Sequence, residues 1–222
     1  MLELDEAPAT AAARELFEEA GILLAHDSEQ RSVAGTTAAA LYRNIELNQR
    51  SSETMAHLHQ ASVTLATETL APWAEWITPS VEAKRFRAHF FVAALPVDQA
   101  PAVNEREMVE LRWVTAEEAL AHARTLHLPP PQIRTFYELL PYCSVDEVFA
   151  AAAARQTEPH PILPRGFTAP QGPALALPWD PAYLAEGIGD SAPYATRPAW
   201  AHGPSRFVRL SDGWHYQDPA AA

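Results

Sequence analysis

Apolar residues recur at helical spacing from Ala9 to Leu24, which predicts a helix with Pro8 in its first turn, where a missing N–H costs nothing. The Ala20-Gly21 step and the turn-prone His26-Asp27-Ser28 close its C-terminal side. Two more helical stretches follow, Thr36 to Asn48 and Ser51 to Thr69, split near Arg50-Ser51-Ser52, where a serine can cap the second. Trp73 to Pro79 reads as a bulky approach to a sheet. From Arg85 to Leu95 the period switches to two: Phe86, Ala88, Phe90, Val92 and Ala94 alternate against Arg85, Arg87 and His89, which predicts a strand ended by Pro96. A second strand is expected over Glu107 to Val114. Thr115 then caps a short helix, Pro129-Pro130-Pro131 opens one running to about Leu140, and Ser144 starts another to about Arg155.

Past Arg155 prolines become dense and the helical period vanishes. Two strand-like pieces remain, Ala174 to Leu177 and Arg206 to Leu210, the second leading into the hairpin signal Ser211-Asp212-Gly213-Trp214. Residues 156–222 read as an ordered extension packed on a main domain over residues 1–155. Its aromatics, Trp179, Tyr183, Tyr194, Trp200, Phe207 and Trp214, need burial.

A hydrophobic fraction of 48% supports an ordinary globular core. The formal net charge of −12 argues against nucleic acid as a partner, so a phosphate-bearing substrate would be met by local arginines or a bound cation. Lys84 is the only lysine. Cys143 is the sole cysteine, which excludes an intramolecular disulfide and fits a reducing cytoplasm; it is expected to be a small buried residue. No apolar run is long enough to span a bilayer, so no membrane partner is expected.

The candidate chemistry lies in Arg14-Glu15-Leu16-Phe17-Glu18-Glu19-Ala20-Gly21-Ile22. On a helix of about 3.6 residues per turn, Glu15, Glu18 and Glu19 fall within roughly 100° of arc, with Arg14 at its edge. Ala13, Leu16, Phe17 and Ala20 cover the opposite side. Carboxylates at these spacings repel each other by a few tenths of a kcal/mol per pair, about what an exposed helix tolerates. A hard divalent cation relieves that repulsion, and an all-oxygen set points to Mg²⁺ or Mn²⁺. A merely solvated acidic face is the plain alternative.

This stretch resembles the second half of the Nudix box, Arg-Glu-aliphatic-any-Glu-Glu-any-Gly-aliphatic, and matches every specified position from Arg14 to Ile22. The resemblance implies an α/β Nudix-type α/β/α sandwich with a mixed sheet. It also implies hydrolysis of a diphosphate linkage in a nucleoside diphosphate linked to another moiety. Glu18 and Glu19 would ligate the metal, Glu15 would ligate it or deprotonate water, and Arg14 would hold Glu15. Glu6 lies at the family's spacing before Arg14, although in branches with an insert there it would be a coincidence. The glycine further upstream would fall before Met1, and the strands that usually precede the box are missing. The domain is therefore expected to be N-terminally incomplete, with an open sheet edge that favours a homodimer.

Trp76-Ile77-Thr78-Pro79, Arg85-Phe86, Phe90-Phe91, Arg112-Trp113-Val114 and Leu128-Pro129-Pro130-Pro131-Gln132 are similar to a long-insert Nudix branch that includes a peroxisomal coenzyme A diphosphatase. A coenzyme-A-like substrate is one implication; an inactive scaffold that binds a ligand or protein is the alternative. A further metal-binding glutamate beyond the box is expected at Glu107, with Glu105 and Glu110 as competitors. Arg85 and Arg87 share a strand face and could grip substrate phosphates through bidentate contacts, or could be ordinary salt-bridged surface arginines. His57 and His59 flank Leu58 on different helix faces, a poor metal pair.

Overall fold

The computed structural model describes residues 6–45, 51–102, 110–156, 160–193 and 196–219. Their contacts divide into two compact units, Met1–Ala71 with Phe91–Trp113, and Pro72–Phe90 with Val114–Ala222.

In the first unit, α1 (Pro8–Ala20) begins at its proline and ends on Gly21, whose φ of 69° lets its N–H reach back to Phe17 O at 2.9 Å. The helix therefore stops before Ile22 rather than running to Leu24. Ile22, Leu23, Leu24 and Ala25 form a continuous buried run leading into β1 (Ala25–His26), since an apolar run with no polar face suits a doubly covered extended segment. Next come α2 (Gly35–Arg43) and α3 (Ser51–Gln60). The latter is shorter than the expected Ser51 to Thr69. Ser62 turns left-handed at φ 58°, and Val63 N–H caps Leu58 O at 3.0 Å. Beyond that turn β2 (Thr64–Leu65) pairs antiparallel with β1. The α1 residues Ala13 and Phe17 are fully buried with Leu23 and Leu58 in this unit's core.

One loop stitches this unit together. The Gln99 side chain accepts from Leu23 N–H at 2.8 Å and donates to Leu23 O at 2.9 Å and Val33 O at 3.1 Å. Beside it, Asp98 accepts from Gly35 N–H at 2.6 Å, supplying from a distance the N-terminal acceptor that Ala34 cannot. A Cβ on Gly35 would stand 1.9 Å from Asp98 O, so only glycine fits there. Ala102 N–H closes on Ala20 O at 2.9 Å, next to the end of α1.

β3 (Ala71–Ile77), which but for Ala71 belongs to the second unit, pairs with β4 (Arg87–Val92), which belongs to it as far as Phe90. The expected strand from Arg85 is thus shorter at both ends, and its aromatic face is covered only in part: Phe86, just before it, is 66% exposed, while Phe90 packs against the core around Trp76 and Phe207. Residues 103–109 lie outside the described residues, and 110–114 are irregular rather than the end of a strand. Three helices follow: α4 (Ala116–Ala121), α5 (Pro130–Leu139) and α6 (Val145–Arg155). Reciprocal capping boxes start the first and third, Thr115 with Glu118 and Ser144 with Glu147.

The C-terminal segment makes more sheet than its two apolar runs suggested. β5 (Arg165–Ala169), β6 (Gly172–Ala176), β7 (Arg206–Leu210) and β8 (Gly213–Gln217) form an antiparallel sheet in chain order, with α7 (Ala182–Ala185) between β6 and β7. Proline and glycine at the ends of β5 and β6 hid that hairpin from a pattern reading. Trp179, Tyr183 and Phe207 are buried and Trp200 and Trp214 partly so, while Tyr194 lies outside the described residues. The mixed character of the sheets rests, among the described residues, on one parallel bridge between Trp76 and Ile162. Cys143 is exposed, not buried as expected; it sits where the chain turns into the Ser144 cap and its N–H donates to Glu147. No helix among the described residues is long and apolar enough to cross a membrane.

Candidate active site

The helix α1 carries Arg14, Glu15, Glu18 and Glu19 in its last two turns. The side of α1 opposite Glu15 and Glu19 is pinned by Ala13 and Phe17, whose burial fixes the rotation of the helix and turns Glu15 and Glu19 outward. Arg14 is only 6% exposed, and its guanidinium is the point on which the acids meet. Its Nε donates to both Glu6 carboxylate oxygens at 3.3 and 3.2 Å, and Nη2 to Glu6 Oε2 at 3.0 Å. Nη1 donates to Glu18 Oε2 at 2.5 Å, and Nη2 reaches Glu15 Oε1 at 3.4 Å. Burial opposes the Arg14 charge, but the Glu6 hydrogen bonds and the negative charges of Glu18, Glu6 and Glu15 outweigh it and raise its pKa further.

Glu15, which the resemblance expects Arg14 to hold, and Glu18 both reach Arg14, because a fork with five N–H donors is a ready counter-charge for several carboxylates. Among the described residues, no three acidic, histidine or cysteine side chains come together as a ligand cage. One feature still suits a cation. Glu18 Oε1 is buried and has no hydrogen-bond partner, while its other oxygen is held by Arg14. An unsatisfied carboxylate oxygen with exposed Glu15 and Glu19 on the same face of α1 is an oxygen-only donor set that fits Mg²⁺ or Mn²⁺.

Glu107 and Glu105 lie outside the described residues, and Glu110 is engaged by Arg112 at 2.7 and 3.0 Å. Arg87 pairs with Glu75, and Arg85, which precedes β4, lies 3.8 Å from Asp190 and donates to Thr78 O at 3.2 Å. Both arginines are thus engaged by groups of their own unit and do not share a strand. His57 is half-buried and His59 exposed on α3, with no metal-like grouping.

Sequence reasoning left Glu6 open between a role and a coincidence, and the structure gives it the bidentate grip on Arg14. The eight-residue separation was the available signal. It missed Gln99 altogether, since nothing local marks a loop glutamine as the partner of Leu23.

Comparison with known proteins places the chain in a family. The family model of the NUDT19 Nudix domain matches residues 2–140. The chain is 35% identical over 133 residues to nudix hydrolase 7 of Caenorhabditis elegans, covering 58% of this chain and 41% of that protein. It is 34% identical over 80 residues to the acyl-coenzyme A diphosphatase NUDT19 of Xenopus laevis, covering 33% of this chain and 20% of that one. The chain thus spans less than half the length of these curated relatives. The crystal structure of a Nudix hydrolase from Alicyclobacillus acidocaldarius superposes with a TM-score of 0.52 at 22% identity, over 67% of this chain and 68% of that chain, a likeness of fold. With an α/β fold of this kind and a matched family model over more than half its length, the chain belongs to the Nudix hydrolase family, in the NUDT19 Nudix-domain group.

Proposed function

We propose that this chain hydrolyses the diphosphate linkage of a nucleoside diphosphate joined to another moiety, with Mg²⁺ or Mn²⁺ as cofactor. The observation that carries the reading is Glu18: one oxygen is clamped by the buried Arg14 and the other is buried without a partner, on a helix with the full Arg-Glu…Glu-Glu…Gly pattern. Glu18 and Glu19 would hold the cation, with Glu15 as a further ligand or as the base that takes a proton from water. A bound divalent cation would supply a Lewis acid that offsets charge on the bridging phosphate and makes water a usable nucleophile near neutral pH. Arg14 keeps Glu18 and Glu15 oriented, and Glu6 keeps Arg14 oriented, so none of these side chains must reorganise when a cation arrives.

The named activity of the frog relative, acyl-coenzyme A diphosphatase, favours a coenzyme-A-like substrate. Glu107 as an additional ligand and Arg85 and Arg87 as phosphate contacts belong to the same proposal. So do a reducing, cytoplasmic setting and a homodimer. The second reading, a scaffold that binds without turnover, is favoured by the tie between Arg14 and the acids of α1. A hydrolysis screen over diphosphate compounds decides between them, run with Mg²⁺, Mn²⁺ or chelator on this chain and on a version extended upstream. Cation-dependent release of a phosphorylated product, abolished by chelator, is the expected result. Absence of turnover in both versions overturns the enzyme reading.

A further inference from the structure

The second unit holds a buried charge cluster unrelated to the Nudix box. Glu138 on α5 is 1% exposed and accepts from Arg134 Nε at 2.6 Å, Arg155 Nη1 at 2.8 Å and Trp73 Nε1 at 3.1 Å. Arg134 and Arg155 are 1% and 5% exposed. Arg134 Nη1 also donates to His202 O, Pro204 O and the Tyr216 hydroxyl, and Arg155 Nη1 to Trp73 O. These further acceptors are neutral. Burial pushes the Tyr216 hydroxyl up to about 12, so it is an uncharged phenol at neutral pH. Among the described residues, two buried cations therefore share one buried anion.

The donors are unbalanced in the same direction. Arg134 Nη2 and Arg155 Nε and Nη2 are buried and have no acceptor. The indole N–H groups of Trp179 and Trp200 are also buried without one. Aromatic faces screen the guanidinium groups: Arg155 lies 3.7 Å from the Trp73 ring centre and 4.7 Å from that of Trp200, and Arg134 5.3 Å from that of Trp179. Such faces attract a cation but accept no in-plane N–H and supply no net charge. An unpaired buried donor is destabilising, and more so when charged. The other buried arginine of this unit shows the balanced case, Arg206 placing Nε and Nη2 on Asp180 at 3.0 and 2.8 Å, with no orphaned atom.

We propose that the Arg134–Glu138–Arg155 cluster binds one small monovalent anion, of halide or simple carboxylate type, on Arg134 Nη2 and Arg155 Nε and Nη2. The anion brings the buried charge to zero and uses the donors that Glu138 cannot reach.

Chloride, bromide and formate are the probes, titrated into the full chain at constant ionic strength against a bulky organic sulfonate. Tm should rise with the logarithm of probe concentration above Kd, by about 5–10 °C at a hundredfold excess over Kd. Sulfate, larger and divalent, should give no rise beyond that of the organic sulfonate at equal ionic strength. Arg155→Lys keeps the charge but loses the fork, and should weaken the apparent affinity about tenfold; Arg206→Lys should leave it unchanged. Bromide should appear by anomalous scattering between Arg134 and Arg155 in wild-type crystals, a readout that does not depend on any variant folding. The proposal is overturned if Tm follows ionic strength alone for every anion, or if crystals soaked in bromide show only water at these donors. It is equally overturned if the response appears only in Glu158→Gln, since that would make Glu158, three residues after Arg155, the missing counter-charge.

Discussion

Arg14 and Glu138 are both shared ions, with opposite signs and opposite surroundings. In the first unit one buried guanidinium serves Glu6, Glu15 and Glu18, and the Glu15 side chain is 58% exposed. In the second unit one buried carboxylate serves Arg134, Arg155 and the Trp73 indole, all sealed from water. The excess charge is negative and reachable in one place, positive and enclosed in the other. Solvent reaches the first through Glu15, so part of its excess charge is screened and stays available to an arriving cation. The second sits where screening is weak, so its geometry matters to stability and not only to binding.

That contrast predicts a graded set of effects. Glu138→Ala should be the most damaging, because it strands two buried cations; a loss of about 3–5 kcal/mol is expected in urea unfolding. A loss below about 1 kcal/mol would mean that the two hubs are energetically alike. Glu18→Gln should reduce cation-dependent hydrolysis on the order of 100-fold or more, since it removes a ligand charge and not merely its support. Unchanged turnover and unchanged Mg²⁺ dependence would remove Glu18 from the site. Arg14→Lys should cost about tenfold in turnover with helix content intact by circular dichroism, because an ammonium cannot fork toward three carboxylates. Smallest of all is the stability change in Glu15→Gln, about 0.5 kcal/mol or less, since its contact with Arg14 is long and exposed. A larger change in Tm would show that Glu15 supports the fold as well as the site.

What the sequence made legible was local. Thr115 with Glu118 and Ser144 with Glu147 announce helix starts through spacing alone, and Gly21 announces a helix end. Arg14 to Ile22 is readable as a motif in which Arg14 holds Glu15, though its pattern does not say that Arg14 clamps Glu18 more closely still. The left-handed turn at Ser62 was illegible, because serine carries no strong preference for it, and so α3 was drawn too long. Arg134 and Glu138 stand four residues apart, a visible pair. Arg155 lies seventeen residues beyond Glu138 and Trp73 sixty-five before it, and no period links such positions. Phe86 misled in the other direction: strict alternation placed it inside a strand, and the residue lies just before β4, mostly exposed.

Gln99 has a consequence for the order in which the chain can be assembled. The extended segment after α1 is held at Leu23 by a side chain that is synthesised 76 residues later, and Val33 by the same amide. During synthesis, at roughly 5–20 residues per second, that segment must wait several seconds before its partner exists. The helix bearing the candidate active site is thus made before the loop that locks the segment after it, and a holding chaperone or a slow-translated stretch before residue 99 would act on that interval.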